Sequence, residues 1–172
     1  SSNKNSSLET VKLLVKYGDN INFCDKNGCT LLMYAVNHSG GTSDIETVKY
    51  LIGMGANVNA KTKCGRTILS FALSPENGIS TADTAKLLIE KGAILDENMG
   101  FMNSLTLYLQ NPPTNPDLDF VKYLLNHGAD VNAQNNMERT PLISTIIRNR
   151  DGTNNQKIIE FLIDHNANLN VK

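Results

Sequence analysis

One short pattern recurs five times along the chain: Gly18-Asp-Asn-Ile-Asn22, Gly55-Ala-Asn-Val-Asn59, Gly92-Ala-Ile-Leu-Asp96, Gly128-Ala-Asp-Val-Asn132 and Asn166-Ala-Asn-Leu-Asn170. The intervals are 37, 37, 36 and 38 residues. A period of that size implies stacked supersecondary units, each touching only its neighbours, in place of one spherical core. Each copy follows an apolar stretch spaced i, i+3, i+4, as in Val11, Leu14, Val15, in Val48, Leu51, Ile52 and in Val121, Leu124, Leu125. That spacing is one face of a helix. The Gly behind it supplies a left-handed C-terminal cap with no Cβ penalty, and Asn166 takes that place in the last copy.

Ten residues beyond each cap stands a second anchor, Gly28, Gly65, Met102 and Glu138, and two residues further on stand Thr30, Thr67, Ser104 and Thr140. Ser or Thr ahead of an apolar run reads as a helix start. The runs beginning Leu31, Ile68, Leu105 and Pro141 are therefore equivalent first helices, and Pro141 sits where its missing N–H does no harm. The unit is a turn, a short helix, a connection, a second helix and a capped exit. In this register the third unit is the least regular, with Met102 at the Gly place and Thr106 at an inward Leu place, so strain or a changed finger is expected there.

Gly-x-Thr-Pro-Leu, followed by a second helix ending Leu-Leu-x-x-Gly-Ala-Asp-Val-Asn-Ala, resembles the ankyrin repeat, and 124–133 match its end almost letter for letter. The resemblance runs from about Leu8 to the C-terminus. It implies an all-α fold, an ankyrin-repeat solenoid of helix-turn-helix units with β-hairpin fingers, whose fingers and first helices form a concave face. The expected divisions are a partial repeat over 1–24 holding only a second helix, then repeats over 25–61, 62–98, 99–134 (degenerate) and 135–172.

The ankyrin unit has about 33 residues, so the surplus here falls between the helices, in the turn-rich stretches 39–44, 75–80, 111–117 and 150–155. Ser43-Asp-Ile-Glu46 has the form of a capping box. Long loops with Asn, Lys and Ile enrichment also resemble the ankyrin proteins of poxviruses, many of which recruit ubiquitin-ligase machinery through a C-terminal F-box-like segment. No such segment is present in this sequence. The opening on a lone second helix, and Ile143, Ile146, Ile147 and Ile158 in the last unit, suggest end faces awaiting a neighbour. They point to a segment of a longer repeat protein or to end-to-end contacts with another chain.

Charge narrows the function. With 16 Lys and Arg against 17 Asp and Glu there is no surplus of positive charge for nucleic acid or an anionic membrane. No apolar run is long enough to span a bilayer. Three cysteines, Cys24, Cys29 and Cys64, make no disulfide framework and no Cys-x-x-Cys, which favours an intracellular, cytoplasmic setting. His127 and His165 share one place before the cap and read as variable surface positions favourable at a helix C-terminus. With no cluster of titratable groups the expectation is a non-enzymatic chain needing no cofactor and no metal.

What remains is surface. The ankyrin resemblance implies partner contacts at the fingertips and first-helix ends: Lys26 and Asn27; Lys63 and Arg66; Phe101 and Asn103; Asn136, Met137 and Arg139; and Arg148. Phe101 and Met137 beside Arg have the composition of an interface hot spot. Against this, Phe101 could fold back on its own unit, and the Lys and Arg could serve solubility alone. The leading function is a protein-protein interaction module, with a viral or pathogen host-interaction role as its finer form. The alternative is a targeting segment of a larger ubiquitin-ligase adaptor or enzyme whose chemistry lies elsewhere.

Overall fold

The computed structural model describes residues 6–18, 20–38, 45–73, 82–95, 103–110, 116–149 and 155–169; the side chains of Ser6, Ser7, His38, Arg148 and Asn149 fall outside the description. The capping box at Ser43, most of the four loop stretches and Phe101 also lie outside it. The chain forms two compact units, Ser1–Ile94 and Leu95–Lys172.

The first unit holds α1 (Ser6–Tyr17), α2 (Leu31–His38), α3 (Ile45–Gly53), α4 (Ile68–Leu73) and α5 (Ala82–Glu90). α2 packs on α3 and on α4, α4 on α5, and the second helices α1, α3 and α5 follow one another side by side. The second unit holds α6 (Ser104–Gln110), α7 (Leu118–Asn126), α8 (Pro141–Asn149) and α9 (Gln156–Asp164). α6 packs on α7 and α8, and α9 on α8 and α7. Among the described residues extended pairing is limited to isolated bridges, Cys24 with Thr30 and Lys61 with Thr67, each at the base of a finger.

The core is the repeat read in three dimensions. First-helix Leu32, Leu69, Leu105 and Leu142 are buried, as are second-helix Leu51, Leu88, Leu124 and Leu162. Each such side chain contributes about 1.5–3 kcal/mol by leaving water. In the second unit the ring of Phe120 meets Tyr108 edge-on, 4.8 Å between centroids. Tyr108 Oη accepts from Asp117 N at 2.8 Å, which ties α6 to the N-cap of α7. Ile158, expected to await a neighbour, is instead buried, at the place of Phe120, whereas Ile146 and Ile147 are exposed.

The caps follow the sequence with two corrections. Gly55, Gly92 and Gly128 take φ of 92°, 89° and 96°, and Asn166 takes 65°. The next N–H then reaches back into the helix, as Ala56 N does to Leu51 O at 3.0 Å and Ala167 N to Leu162 O at 2.9 Å. Gly18 is not left-handed; a Cβ there would stand 2.7 Å from Leu14 O. At the first helices, Thr30, Thr67 and Thr140 accept from the N–H three residues on, at 3.3, 3.2 and 3.3 Å.

In the third repeat the cap is not Ser104. Asn103 Oδ1 accepts from Thr106 N at 2.7 Å, so Asn103 is the counterpart of Thr67 and Leu105 of Leu69. The register there shifts by one: Gly92 to Asn103 is 11 residues, against 12 from Gly55 to Thr67 and from Gly128 to Thr140. The expected constant interval between caps fails at this one place. The inward Leu place is filled by Leu105, and Thr106 corresponds to Ser70.

Candidate functional site

Three fingers lie within the described residues, over 25–30, 62–67 and 135–140, and one device builds all of them. A short polar side chain at the first corner accepts from the backbone of the return arm. Asp25 Oδ1 accepts from Asn27 N and Cys29 N, both at 2.8 Å; Thr62 Oγ1 from Arg66 N at 3.0 Å; Asn135 Oδ1 from Met137 N and Arg139 N, both at 2.9 Å. Backbone bonds close the same loops, Asp25 N to Cys29 O, Thr62 N to Arg66 O and Asn135 N to Arg139 O, at 3.0, 2.9 and 3.0 Å. These are Asx and Ser/Thr turns. These bonds brace each loop, and the two residues at its tip are exposed.

The tips are therefore exposed: Lys26 and Asn27, Lys63 and Cys64, Asn136 and Met137. In the first unit, fingers one and two touch through their backbones, Lys63 N donating to Asn27 O at 2.9 Å. That approach explains Gly28 twice over. Its φ is +82°, and a Cβ would come within 2.8 Å of Lys63 N. Glu138, at the same place in the last finger, accepts a φ of 57° without glycine's freedom.

Of the expected contact residues, Lys26, Asn27, Lys63, Asn136 and Met137 stand on these tips, and Met137 is 60% exposed. Arg66 and Arg139 are half-buried on the return arms. The Arg66 guanidinium lies over the Phe71 ring, 4.0 Å from its centroid, which fixes the cation and its direction. At the Phe71 place of the Arg139 repeat stands Ser144, which offers no ring. Arg148 belongs to the last turn of α8. Asn103, expected on the exposed surface, is instead buried: it caps α6 and donates through Nδ2 to Ala133 O, so its side chain organises the fold.

The electrostatics of the tips are mild. The Asp25 carboxyl is held below the ordinary carboxylate range, chiefly by the Cys29 N–H and then by the Tyr34 hydroxyl, whose own pKa rises in return. The Cys64 thiol is lowered, first by the Thr62 hydroxyl 3.1 Å away. No disulfide joins Cys24, Cys29 and Cys64. Among the described residues no three His, Cys, Asp or Glu gather as metal ligands, and no helix is long and apolar enough to cross a membrane. His127 and His165 are exposed, each ring nitrogen Nδ1 2.8 Å from the carbonyl four residues back, as suits the end of a helix.

A family model described as ankyrin repeats, in three copies, matches residues 1–99 and 114–172. The chain belongs to the ankyrin repeat family. The all-α ankyrin solenoid class follows from that match and from the helix pairs and capped fingers above. No curated protein matches the chain. Ankyrin repeats are in general non-enzymatic protein-protein interaction modules, and this chain carries their fingers. The corner residues Asp25, Thr62 and Asn135, which hold those fingers, escape a reading based on repeat spacing. Their signal is local: a short polar residue three places before the left-handed residue, as in Asp25-x-x-Gly28.

Proposed function

We propose that the chain is a non-enzymatic binding module that takes a partner protein on its finger tips and return arms. The observation that carries this is the finger construction: corner side chains and backbone bonds brace each loop and leave its tip residues exposed. In the first unit the surface is Lys26, Asn27, Lys63 and Arg66, cationic and held by the Gly28 contact. In the second it is Asn136, Met137 and Arg139, an apolar anchor two residues from a cation, of the kind that concentrates binding energy, and Arg148 joins the set by sequence position. Phe101 extends the set by sequence position.

Affinity purification from cells, followed by mass spectrometry, tests the reading. Lys63→Ala with Arg66→Ala, and separately Met137→Ala with Arg139→Ala, should each weaken capture of the principal partner by about tenfold or more. Unchanged recovery of every captured protein by both double variants would count against these surfaces. Recovery of ubiquitin-ligase subunits would move the reading to a targeting segment of a larger assembly, and recovery of host proteins by a viral chain would supply the finer role. The poxvirus-like style rests on loop length and residue bias alone, so the proposal stays with the family. An intracellular, cytoplasmic setting accords with the three unbridged cysteines.

A further inference from the structure

Charge in the first unit is sorted by element. Among its described residues the acids Glu9, Glu46, Asp83 and Glu90 all stand on the second helices α1, α3 and α5. These helices carry cations beside them, with Lys12 bonded to Glu9 and Lys49 to Glu46, both at 2.8 Å. The described finger residues of this unit show the reverse, Lys26, Lys61, Lys63 and Arg66 against Asp25. Asp25 is engaged within its own repeat: Oδ1 accepts from Asn27 N and Cys29 N, and Oδ2 from the Tyr34 hydroxyl, each at 2.8 Å. A chain of formal net charge −1 thus gathers positive charge on one pair of fingers.

The cations there start from fixed points. Lys26 and Lys63 hold the same place in successive fingers, both exposed, and the bond from Lys63 N to Asn27 O joins the two loops. The Arg66 guanidinium lies over Phe71, which is itself buried. Stacking uses the flat face of a guanidinium, while its N–H donors lie along the edge in the fork that matches a carboxylate. Holding the cation in place beforehand lowers the entropy lost when an anion binds. The described finger of the second unit differs: Asn136 stands at the place of Lys26 and Lys63, and Glu138 offsets Arg139.

We propose that fingers one and two take an acidic, carboxylate-rich segment of the partner protein, its carboxylates set against Lys26, Lys63 and Arg66. The inference rests on the finger tips being the binding surface and adds the chemistry of what they bind. A patch confined to two loops suits a short acidic run. A nucleic acid would need a longer stripe, and its phosphates would meet the acids of the second helices.

The probe is a short peptide of alternating Glu and Gly, titrated into the full chain and followed through the amide signals by nuclear magnetic resonance. Saturable shifts are expected at Lys26, Asn27, Lys63, Cys64 and Arg66, with the signals of Asn136 and Met137 still. Affinity should fall by about threefold or more between roughly 0.05 and 0.3 M salt. The double variant Lys26→Glu with Lys63→Glu, at exposed positions, should bind at least about tenfold more weakly and should instead bind a peptide of alternating Lys and Gly, with unchanged far-ultraviolet circular dichroism. Several results would overturn the proposal: no saturable shift at millimolar peptide, equal binding of a Gln and Gly peptide, equal shifts on the second unit's finger, or tighter binding of a single-stranded oligonucleotide at the same residues. The titration needs no captured partner. Loss of the partner by Lys63→Ala with Arg66→Ala, without peptide binding, would therefore overturn the acidic preference and leave the finger-tip surface standing.

Discussion

The side-chain amide of Asn59 donates to the carbonyl oxygen of Gly92 at 2.9 Å, and the same side chain accepts from Ile94 N at 2.9 Å. One residue at the exit of a repeat thereby holds the exit of the next. Asn22 does this for Gly55 O and Asn57 N, at 3.2 and 2.7 Å, and Asn132 for Asn166 O and Asn168 N, at 3.0 and 2.7 Å. In the first unit the bonds run on without a break, because Asn57 Oδ1 accepts from Asn59 N at 2.9 Å. Only a side chain with an acceptor and a donor on one planar group can serve both backbone partners.

Asn59→Ala should therefore destabilise the chain by about 1 kcal/mol, the two bonds being exposed and each worth about 0.5–1.5 kcal/mol net. Asn59→Asp should lose at least as much, since a carboxylate keeps the acceptor for Ile94 but faces Gly92 O with no donor. Urea unfolding gives both values. Equal stability of all three chains would show that the bridge contributes nothing.

Much of this was legible in the sequence, and the parts that were not share a cause. The repeat period, the Thr30, Thr67 and Thr140 caps and the left-handed exits are signalled by single residues acting locally, so they could be read directly. The 23 Asn could be counted, and four of them placed at the repeat exits, but their reach into the next repeat is tertiary. In the third repeat, spacing from Gly92 pointed to Ser104, whereas the hydrogen bond to Thr106 N singles out Asn103. An interval between exit cap and helix cap one residue shorter than the others breaks the spacing and leaves the capping chemistry intact.

Glu138 is the clearest target for stabilisation. At φ 57° it meets the steric penalty that Gly28 and Gly65 avoid at φ 82°. Glu138→Gly should raise stability by about 0.5–1 kcal/mol. Gly28→Ala should lose about 2 kcal/mol or more, because the added Cβ brings a contact with Lys63 N on top of the backbone strain. Thermal unfolding of the two variants, moving in opposite directions, checks the pair. A loss for Glu138→Gly would mean that the Glu side chain supplies more than its backbone forfeits.

Thr106 offers a second gain. It is fully buried in α6, and its hydroxyl has no hydrogen-bond partner among the described residues. Ser70, at the same place in α4, donates to Thr67 O at 2.7 Å. Thr106→Val keeps the volume and removes the unsatisfied group, so stability should rise by about 1 kcal/mol, whereas Ser70→Ala should fall. A destabilised Thr106→Val would reveal a partner for that hydroxyl.

The first finger should respond to acid through Asp25. Its folded pKa lies below the unfolded value, because the Cys29 N–H, the Tyr34 hydroxyl and the Asn27 N–H all favour the carboxylate. The bonds it anchors are therefore at full strength above the unfolded carboxyl value of about 4 and are lost as pH falls through the lower folded value. The amide shifts of Asn27 and Cys29, followed by nuclear magnetic resonance, should titrate with a midpoint below about 4. In Asp25→Asn the side-chain oxygen still accepts from both N–H groups but no longer ionises, so the two shifts should stay flat over the same range. A midpoint at or above the ordinary carboxylate value, or an unchanged titration in Asp25→Asn, would remove Asp25 as the acid-sensitive corner of the finger.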